Sequence, residues 1–260
     1  MILETLKELA EKKARGMIVT DVRIGLCYTA VLLDNGTAGV ALTFRKEIPP
    51  GCSKAAKPLA GQAALDIIKG ITSADLLERT VGIAAANALL NEERDGLIEG
   101  DTLKLLSPAE KDIVGMVGYF GPLVPILKNR VKELRIFERV PEKSLNIYPE
   151  EEAFEFLPSC SIALITSTTL INRTAENLLD AARNCQKVAL VGSSTPLVKE
   201  VFSDFKVDVL SGVLIPDPRT VLRIVSEGAG MKAFKGHIRK VNILCKQSAN
   251  SNQSTAFTVE

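Results

Sequence analysis

Three segments in the second half of the chain share a pattern in which a short apolar run ends in small or hydroxyl residues and leads into a helix-like segment. The runs lie at residues 112–118, 161–166 and 187–192. Apolar runs rich in β-branched residues are typical of parallel strands that are buried on both faces. Hydroxyl residues, Gly and Pro at the end of each run are typical helix starts. The pattern predicts a doubly wound α/β sheet, in which ligands bind at the carboxyl ends of the strands.

Other segments of the second half complete this sheet. Residues 134–138 and 207–215 are apolar enough to form two further strands. Residues 218–226 predict a helix that begins after an Ile-Pro-Asp-Pro turn, because Pro is favoured at the first helical position. A last strand is predicted beyond the turn that carries His237. We therefore expect a C-terminal domain that is built on a parallel sheet.

The first hundred residues show a different order of elements. Asp34-Asn-Gly36 is a strong hairpin signal, and Gly16 supplies the residue expected just past the end of a helix. The predicted elements are a helix over 3–14, strands over 19–33 and 37–44, and helices over 60–69 and 74–90. The last helix is dense in Ala and Gly, which allows a close approach to a neighbouring element and indicates a buried helix. This order predicts an α+β module.

A charged segment separates the two patterns. Residues 92–111 carry Gly96, Gly100 and Pro108 and show no sustained hydrophobic period, as is typical of a connection between domains. We therefore predict an α+β domain over residues 1–100 and an α/β domain over residues 101–245. The remaining residues, 246–260, are too polar to pack, and we expect this tail to be disordered.

Composition excludes several classes of function. The chain has 32 Lys and Arg against 31 Asp and Glu, so no strong field would draw it to nucleic acid or to an anionic membrane. The first residues lack the pattern of a secretory signal, and no stretch is apolar enough to span a bilayer, so we expect a cytoplasmic protein. The single histidine, His237, excludes most His-based metal and nucleophile systems. The sequence leaves room for a homo-oligomer.

The loop after the first apolar run resembles a dinucleotide-binding turn only in part. Its glycines are spaced G-x-x-G-x-x-G over residues 115–121, whereas the dinucleotide fingerprint is G-x-G-x-x-G. Bulky Tyr119 and Phe120 stand where the fingerprint keeps open backbone. Glu138 lies 20 residues after Gly118, where a ribose-binding acid is expected. An enzyme that uses a nucleotide or S-adenosylmethionine is therefore kept as an alternative.

The loops after the second and third runs are rich in hydroxyl groups. Residues 166–174 hold five hydroxyl side chains and one amide, of which one suffices to cap a helix. Residues 192–196 repeat the arrangement one strand away. Hydroxyl groups beside the free N–H groups of a helix start form a cradle for a carboxylate, a phosphate or an oxygen-rich chelate. We therefore predict a site for a small anionic molecule or a metal chelate.

Side chains that bind metals directly are scarce. The candidates are Glu138, Asp217, the loop hydroxyls, and Cys27 and Cys52 of the first domain. Carboxylate oxygens suit hard cations and thiolates suit soft ones, and this set does not define a coordination sphere. A metal ion would therefore arrive with part of its coordination shell supplied by another ligand.

Four motifs resemble the signature segments of the bacterial and archaeal DUF364 family, together with its DUF4213 N-terminal domain. They lie at residues 84–90, 114–120, 165–172 and 191–197. The resemblance covers nearly the whole chain except the tail. It implies an N-terminal domain like that of enolase, a C-terminal Rossmann-like domain and a site between them associated with heavy-metal chelation.

The resemblance also implies a set of residues that face the cleft between the domains. They are Asn87, Gly118, Tyr119, Phe120, Thr166, Thr168, Thr169, Asn172, Ser194, Thr195 and Pro196. Glu138 and Asp217 are added to this set as candidate metal-binding side chains, and Glu138 also as the expected ribose-binding acid. A third hypothesis is a scaffold without a small ligand, in which the Ala-rich helix over 74–90 is an interface. No activated nucleophile or close acid–base pair accompanies the loops, so we favour ligand binding over catalysis.

Overall fold

A computed structural model describes residues 1–48, 57–139 and 147–245. The described residues form a mixed α/β fold with two sheets, one of three strands and one of eight. No helix in this part of the chain is both long and apolar enough to cross a membrane. The predicted disordered tail, 246–260, and Cys52 lie outside the described residues.

The smaller sheet is antiparallel, with the order β1-β2-β3. Its strands are β1 (Val19–Ile24), β2 (Tyr28–Leu33) and β3 (Ala38–Leu42), preceded by helix α1 (Ile2–Ala14). The predicted hairpin at Asp34–Gly36 is confirmed between β2 and β3. The single strand predicted over 19–33 is wrong, because a tight turn divides it. In that turn the Gly25 N–H donates to the Tyr28 carbonyl (2.8 Å).

Helix α3 (Leu76–Leu90) is the central element of the N-terminal half, and it follows α2 (Ala64–Ile68) and a 3-10 turn at Lys69–Thr72. Twelve of its fifteen residues are buried, so it has almost no solvent face. Asp75 caps its first turn by accepting from the N–H groups of Leu77 (2.8 Å) and Glu78 (3.0 Å). Because the helix is buried within the chain, its Ala-rich surface is not available as the interface of the scaffold hypothesis.

The larger sheet has the order β4-β11-β10-β9-β8-β5-β6-β7. Its strands are β4 (Ile98–Glu99), β5 (Ile113–Val117), β6 (Glu133–Glu138), β7 (Ile147–Pro149), β8 (Ile162–Thr166), β9 (Lys187–Val191), β10 (Val209–Leu214) and β11 (Arg239–Leu244). The helices between them are α4 (Thr102–Leu106), α5 (Val124–Lys128), α6 (Ala153–Phe156), α7 (Thr169–Asn172), α8 (Ala175–Ala181) and α9 (Pro218–Ser226). The six strands from β7 to β10 are parallel, and β11 and β4 are antiparallel to their neighbours.

The progression of strands reverses between β5 and β8. From β5 the chain moves outward to β6 and β7, returns to the other side of β5 as β8, and continues to β9 and β10. The loops that follow β5 and β8 therefore leave the sheet in opposite directions. In open α/β sheets, such a reversal creates a crevice at the carboxyl ends of the two strands.

All six strands predicted for the second half are present, as β5, β6, β8, β9, β10 and, after His237, β11. The helix predicted over 218–226 is confirmed as α9. Strands β4 and β7 were not predicted, because two or three residues carry no periodic signal. The prediction of a helix directly after residue 192 is wrong: the backbone is irregular up to a 3-10 turn at Lys199–Phe202.

The largest of three clusters of buried apolar side chains extends through both halves of the chain. Leu6 of α1 and Ile83 of α3 belong to the same cluster of buried side chains as Ile165 of β8. The opposite face of the smaller sheet packs on α9, where Val40 and Val225 share another cluster. Burial of apolar surface therefore fixes the N-terminal half against the larger sheet. The domain boundary at residue 100 stays a prediction.

Substitution of Gly39 tests the packing between β3 and α3. A Cβ atom at this position would lie 2.2 Å from the Ala84 carbonyl oxygen and 2.3 Å from the Ala88 nitrogen. Since both atoms are backbone, we expect Gly39→Ala to lower the free energy of unfolding by at least about 3 kcal/mol, the upper end of the usual overpacking cost. Urea unfolding would measure this loss.

The matched control is Gly121→Ala, where a Cβ atom would meet only the ring edge of Tyr119 at 3.3 Å. Because that ring is exposed and can turn aside, we expect a change within about 1 kcal/mol. Equal effects of the two substitutions would contradict the packing described for α3.

Candidate functional site

The loops after β5 and β8 meet at the strand reversal. Val117 and Ile165 are neighbours in the parallel register, which places Gly118 beside Thr166. A Cβ atom on Gly118 would lie 2.8 Å from the Thr166 Cβ, and the φ of Gly118 is +90°. The short distance leaves no room for a Cβ atom, and residues other than glycine rarely adopt this backbone conformation. Both facts therefore require glycine at position 118. The contact brings two predicted site residues together.

Glu138 at the end of β6 holds the Gly118 loop in place. Its Oε2 accepts a hydrogen bond from the Tyr119 N–H (3.0 Å), and its Oε1 accepts one from the Arg139 N–H (3.1 Å). The Tyr119 residue is 43% exposed to solvent, and Phe120 is half-buried. The structure therefore brings Glu138 and Tyr119 together beside Gly118.

The hydroxyl groups after β8 divide into two kinds. The Thr166 and Thr168 hydroxyls, which are half-buried, lie 3.0 Å apart. The buried Thr169 hydroxyl donates to the Thr166 carbonyl (2.6 Å) and is thereby used in the turn itself. The Ser167 hydroxyl is buried and has no partner among the described residues. Thr166 and Thr168 are therefore the hydroxyls that a ligand could reach, and with Gly118, Tyr119 and Glu138 they form what we call the switch-point site.

Asn172 shapes the end of the same turn. Its Oδ1 accepts from the Thr174 N–H (3.1 Å) and from the Thr174 hydroxyl (2.9 Å). Arg173 follows with a φ of +66°, a left-handed conformation that is uncommon outside glycine. The helix α7 is a single turn, so the predicted helix dipole behind these hydroxyls is small.

The loop after β9 lies where the N-terminal half contacts the C-terminal half. We call this contact region the seam. The Ser194 Oγ accepts from the Leu42 N–H (2.9 Å), and the Asn91 amide donates to the Thr195 carbonyl (2.9 Å) and accepts from the Leu197 N–H (2.7 Å). These bonds replace the intrahelical bonds that the sequence pattern predicted. Ser194, Thr195 and Pro196 are all buried. The structure therefore places these three predicted site residues away from solvent, next to the turn that carries Ser167.

The two remaining predicted residues lie elsewhere. Asn87 is buried in α3, where its amide donates to the Val40 carbonyl (3.0 Å). Asp217 caps α9 after β10, two strands away from β8. Hydrogen bonds from Thr220 and then from His237 (2.9 Å) lower the pKa of the Asp217 carboxyl. The structure does not bring Asn87 or Asp217 into contact with the switch-point site.

Arg139 connects the end of β6 to the N-terminal half, and the sequence analysis did not identify it. It pairs with Glu47 (2.8 Å) and lies over the ring of Phe44 (5.3 Å). Both partners follow β3, so this contact covers the β6 side of the switch-point site. No local pattern in the sequence links Glu47 to Arg139.

Glu150 is a second group that the sequence analysis missed. It follows Pro149, the register partner of Glu138, and it is only 6% exposed. Burial raises the pKa of its carboxyl, and the charge of Glu138 raises it further, whereas Thr174 and Arg139 oppose the shift. This buried acid beside the site therefore keeps its proton to a higher pH than an exposed glutamate does.

The described side chains do not provide a preformed cage for a metal ion. Within residues 1–48, 57–139 and 147–245, no three His, Cys, Asp or Glu side chains are grouped so that they could hold one. Burial raises the pKa of Cys160 to about 12 and that of Cys185 and Cys245 to about 11. These thiols are protonated at neutral pH, and soft metals bind thiolates.

A cavity of about 410 Å³ lies behind residues 166–174, which we call the hydroxyl turn. It is located between the start of α1 and the start of α8. Arg173, Thr169 and Thr72 are among its lining residues. Of the predicted site residues it contains only Thr169. The cavity therefore lies beside the switch-point site and does not coincide with it.

Two family models match this chain. The DUF364 model, described as "Putative heavy-metal chelation", matches residues 101–244, and the DUF4213 model, with the same description, matches residues 7–90. An uncharacterized protein of Methanocaldococcus jannaschii is 29% identical over 254 residues, which cover 92% of this chain and 96% of the relative.

Two crystal structures of DUF364 proteins with unknown function are similar in fold. The protein of Pyrococcus horikoshii has a TM-score of 0.83 and 25% identity, with 94% of this chain and all of that one covered. The protein of Desulfitobacterium hafniense has a TM-score of 0.78 and 24% identity, with 93% and 99% covered. The similarity to both structures extends over nearly the full chain.

The raised pKa of Glu150 predicts how its substitution changes stability with pH. The folded protein keeps this proton at pH values where the unfolded chain has lost it. The contribution of Glu150 is therefore full below the ordinary glutamate pKa and is lost as the pH rises through the folded pKa. Since Gln cannot ionise, Glu150→Gln should gain stability relative to wild type as the pH rises from about 4, the ordinary pKa of glutamate, through the higher pKa of folded Glu150.

Urea unfolding of both proteins across this pH range would measure the difference. Glu155→Gln is the matched control, because Glu155 is an exposed glutamate whose charge does not contribute to the raised pKa of Glu150. A difference between Glu150→Gln and wild type that stays constant with pH would contradict the assignment.

Proposed function

The chain belongs to the DUF364 family, with a DUF4213 region ahead of it, and from this premise we propose that it binds a small metal chelate at the switch-point site. The observation that carries the proposal is the contact of Gly118 with Thr166 at the strand reversal. It leaves the side chains of Tyr119, Thr166 and Thr168 at least partly exposed on adjacent loops. A ligand in the crevice could therefore touch both loops at once.

The chemistry of the site favours a complexed metal over a bare ion. Hydroxyl and phenol groups are neutral, and they hydrogen-bond well to the carboxylate oxygens of a chelator. A chelator also supplies the metal with donor atoms that the described residues lack. The protein would then recognise the outer oxygens of the complex. A small free anion is the simpler variant of the same proposal.

We also propose the finer architecture that the resemblance implies. In chain order, the parallel strands β7-β6-β5-β8-β9-β10 read 3-2-1-4-5-6, which supports a Rossmann-like domain. A three-stranded antiparallel sheet packed on α3 is compatible with an enolase-like N-terminal domain. The ligand would lie where the end of β3 approaches the carboxyl edge of the larger sheet.

Calorimetry on the full chain would test the proposal. The titrants are Ni²⁺, Co²⁺ and Zn²⁺ alone, citrate alone, and each metal citrate complex. We expect saturable heat for at least one complex and weaker binding of its separate components. Replacing Thr168 by Val removes one hydrogen bond to a charged ligand, so Thr168→Val should weaken affinity about tenfold or more.

Thr20→Val is the matched control, because Thr20 is an exposed hydroxyl on β1 whose bond is to the Leu32 carbonyl. Its affinity should equal that of wild type. No heat from any titrant, or equal affinity for Thr168→Val and wild type, would count against a ligand at this site.

The nucleotide alternative has weaker support. Both carboxylate oxygens of Glu138 already accept backbone N–H groups, so the acid that would bind a ribose instead shapes the Gly118 loop. If the alternative is correct, adenine nucleotides or S-adenosylmethionine should raise the melting temperature of wild type and not of Glu138→Ala. The same panel of calorimetric titrants would then give no heat.

A further inference from the structure

Two arginines cross the seam between the halves in opposite directions. Arg79 of α3 donates from Nε to the Ile171 carbonyl in α7 and from Nη1 to the Ser73 carbonyl. Arg173, which follows α7, donates from Nη2 back to the carbonyls of Thr72 (2.7 Å) and Ser73 (2.8 Å). Ser73 therefore accepts from both arginines, one from each half.

Burial of the charged Arg79 guanidinium costs free energy, which argues that this side chain does more than fill space in the core. Arg79 is only 5% exposed, and its hydrogen-bond acceptors are neutral carbonyl groups. Burial and the nearby charge of Arg173 both lower the pKa of Arg79. A buried guanidinium is tolerated when several hydrogen bonds satisfy it, and its fixed fork can hold two carbonyls in one geometry.

Two groups of this arrangement, the Ile171 carbonyl and Arg173 itself, lie in the hydroxyl turn. Ile171 is within α7, and its N–H donates to the carbonyl of Thr168 (2.9 Å). Arg173 itself ends the turn in a left-handed conformation. The half-buried Thr166 and Thr168 hydroxyls are thus connected to the N-terminal half through a short run of backbone.

We propose that Arg79 and Arg173 form a clamp that positions the hydroxyl turn of the switch-point site from the N-terminal half. Arg79 and Arg173 are positioning residues, because neither belongs to the set that would touch the ligand. This role rests on the proposed binding function for its effect on affinity. Its effect on the order of the turn does not depend on any ligand.

Hydrogen exchange measured by mass spectrometry on the full chain would test the clamp. In Arg79→Gln the amides of residues 168–174 should exchange at least about tenfold faster, while peptides of β5 and β9 keep their wild-type rates. Affinity for the metal citrate that binds wild type should fall about 10- to 100-fold, the range typical of groups that orient ligand-binding residues. Arg79→Lys, which cannot reach both carbonyls in a fork, should recover the exchange rates only in part.

Arg239→Gln is the control, because Arg239 pairs with Glu93 and Glu99 at the far edge of the larger sheet. It should change neither the turn nor the affinity. Arg173→Gln repeats the test at an exposed position, so a folding failure of Arg79→Gln leaves the clamp testable. Wild-type exchange in the turn of Arg173→Gln, or a uniform rise in every peptide of a folded variant, would overturn the clamp. Faster exchange in a protein that binds no titrant would overturn the proposed function alone.

Discussion

The burial of α3 between the two sheets is the constraint on which the rest of the structure depends. The helix is packed so closely on β3 that Gly39 has no room for a side chain, and it shares its core with β8. Separation of the halves would expose both apolar faces to water, so hydrophobic burial holds them together. Burial has no direction, however. The position of one half on the other is set by hydrogen bonds along the seam.

Those seam bonds decide the local structure of the loops that would hold a ligand. The Asn91 side chain hydrogen-bonds to the Thr195 carbonyl and to the Leu197 N–H, so the chain directly after β9 forms no α-helix. In the same loop, the Ser194 hydroxyl oxygen accepts a hydrogen bond from the Leu42 N–H. The hydroxyl-rich loops are therefore unequal: one is consumed by contacts between the halves, and the other keeps Thr166 and Thr168 within reach of solvent. A site that looked symmetrical in sequence is asymmetrical in space.

The same geometry limits the chemistry that the site can perform. Its solvent-accessible groups are half-buried hydroxyls and a phenol, and burial raises the pKa of the nearby acid Glu150. Burial raises the pKa of Cys160, Cys185 and Cys245, so these three thiols are protonated at neutral pH and are not ready ligands for a soft metal. Recognition of an already complexed metal agrees with these properties. It also agrees with the description that the family models carry.

The sequence by itself determined the elements with strong local signals. The apolar runs predicted β5, β8 and β9, the Asp34-Asn-Gly36 signal predicted the β2–β3 hairpin, and Pro218 marked the start of α9. These signals are local because strand burial, turn geometry and helix capping act within a few residues. The pairing of Arg139 with Glu47, the burial of Glu150 and the two crossing arginines had no such signal. Only the tertiary structure decided them, since each joins residues that are far apart in the chain and meet when the halves pack.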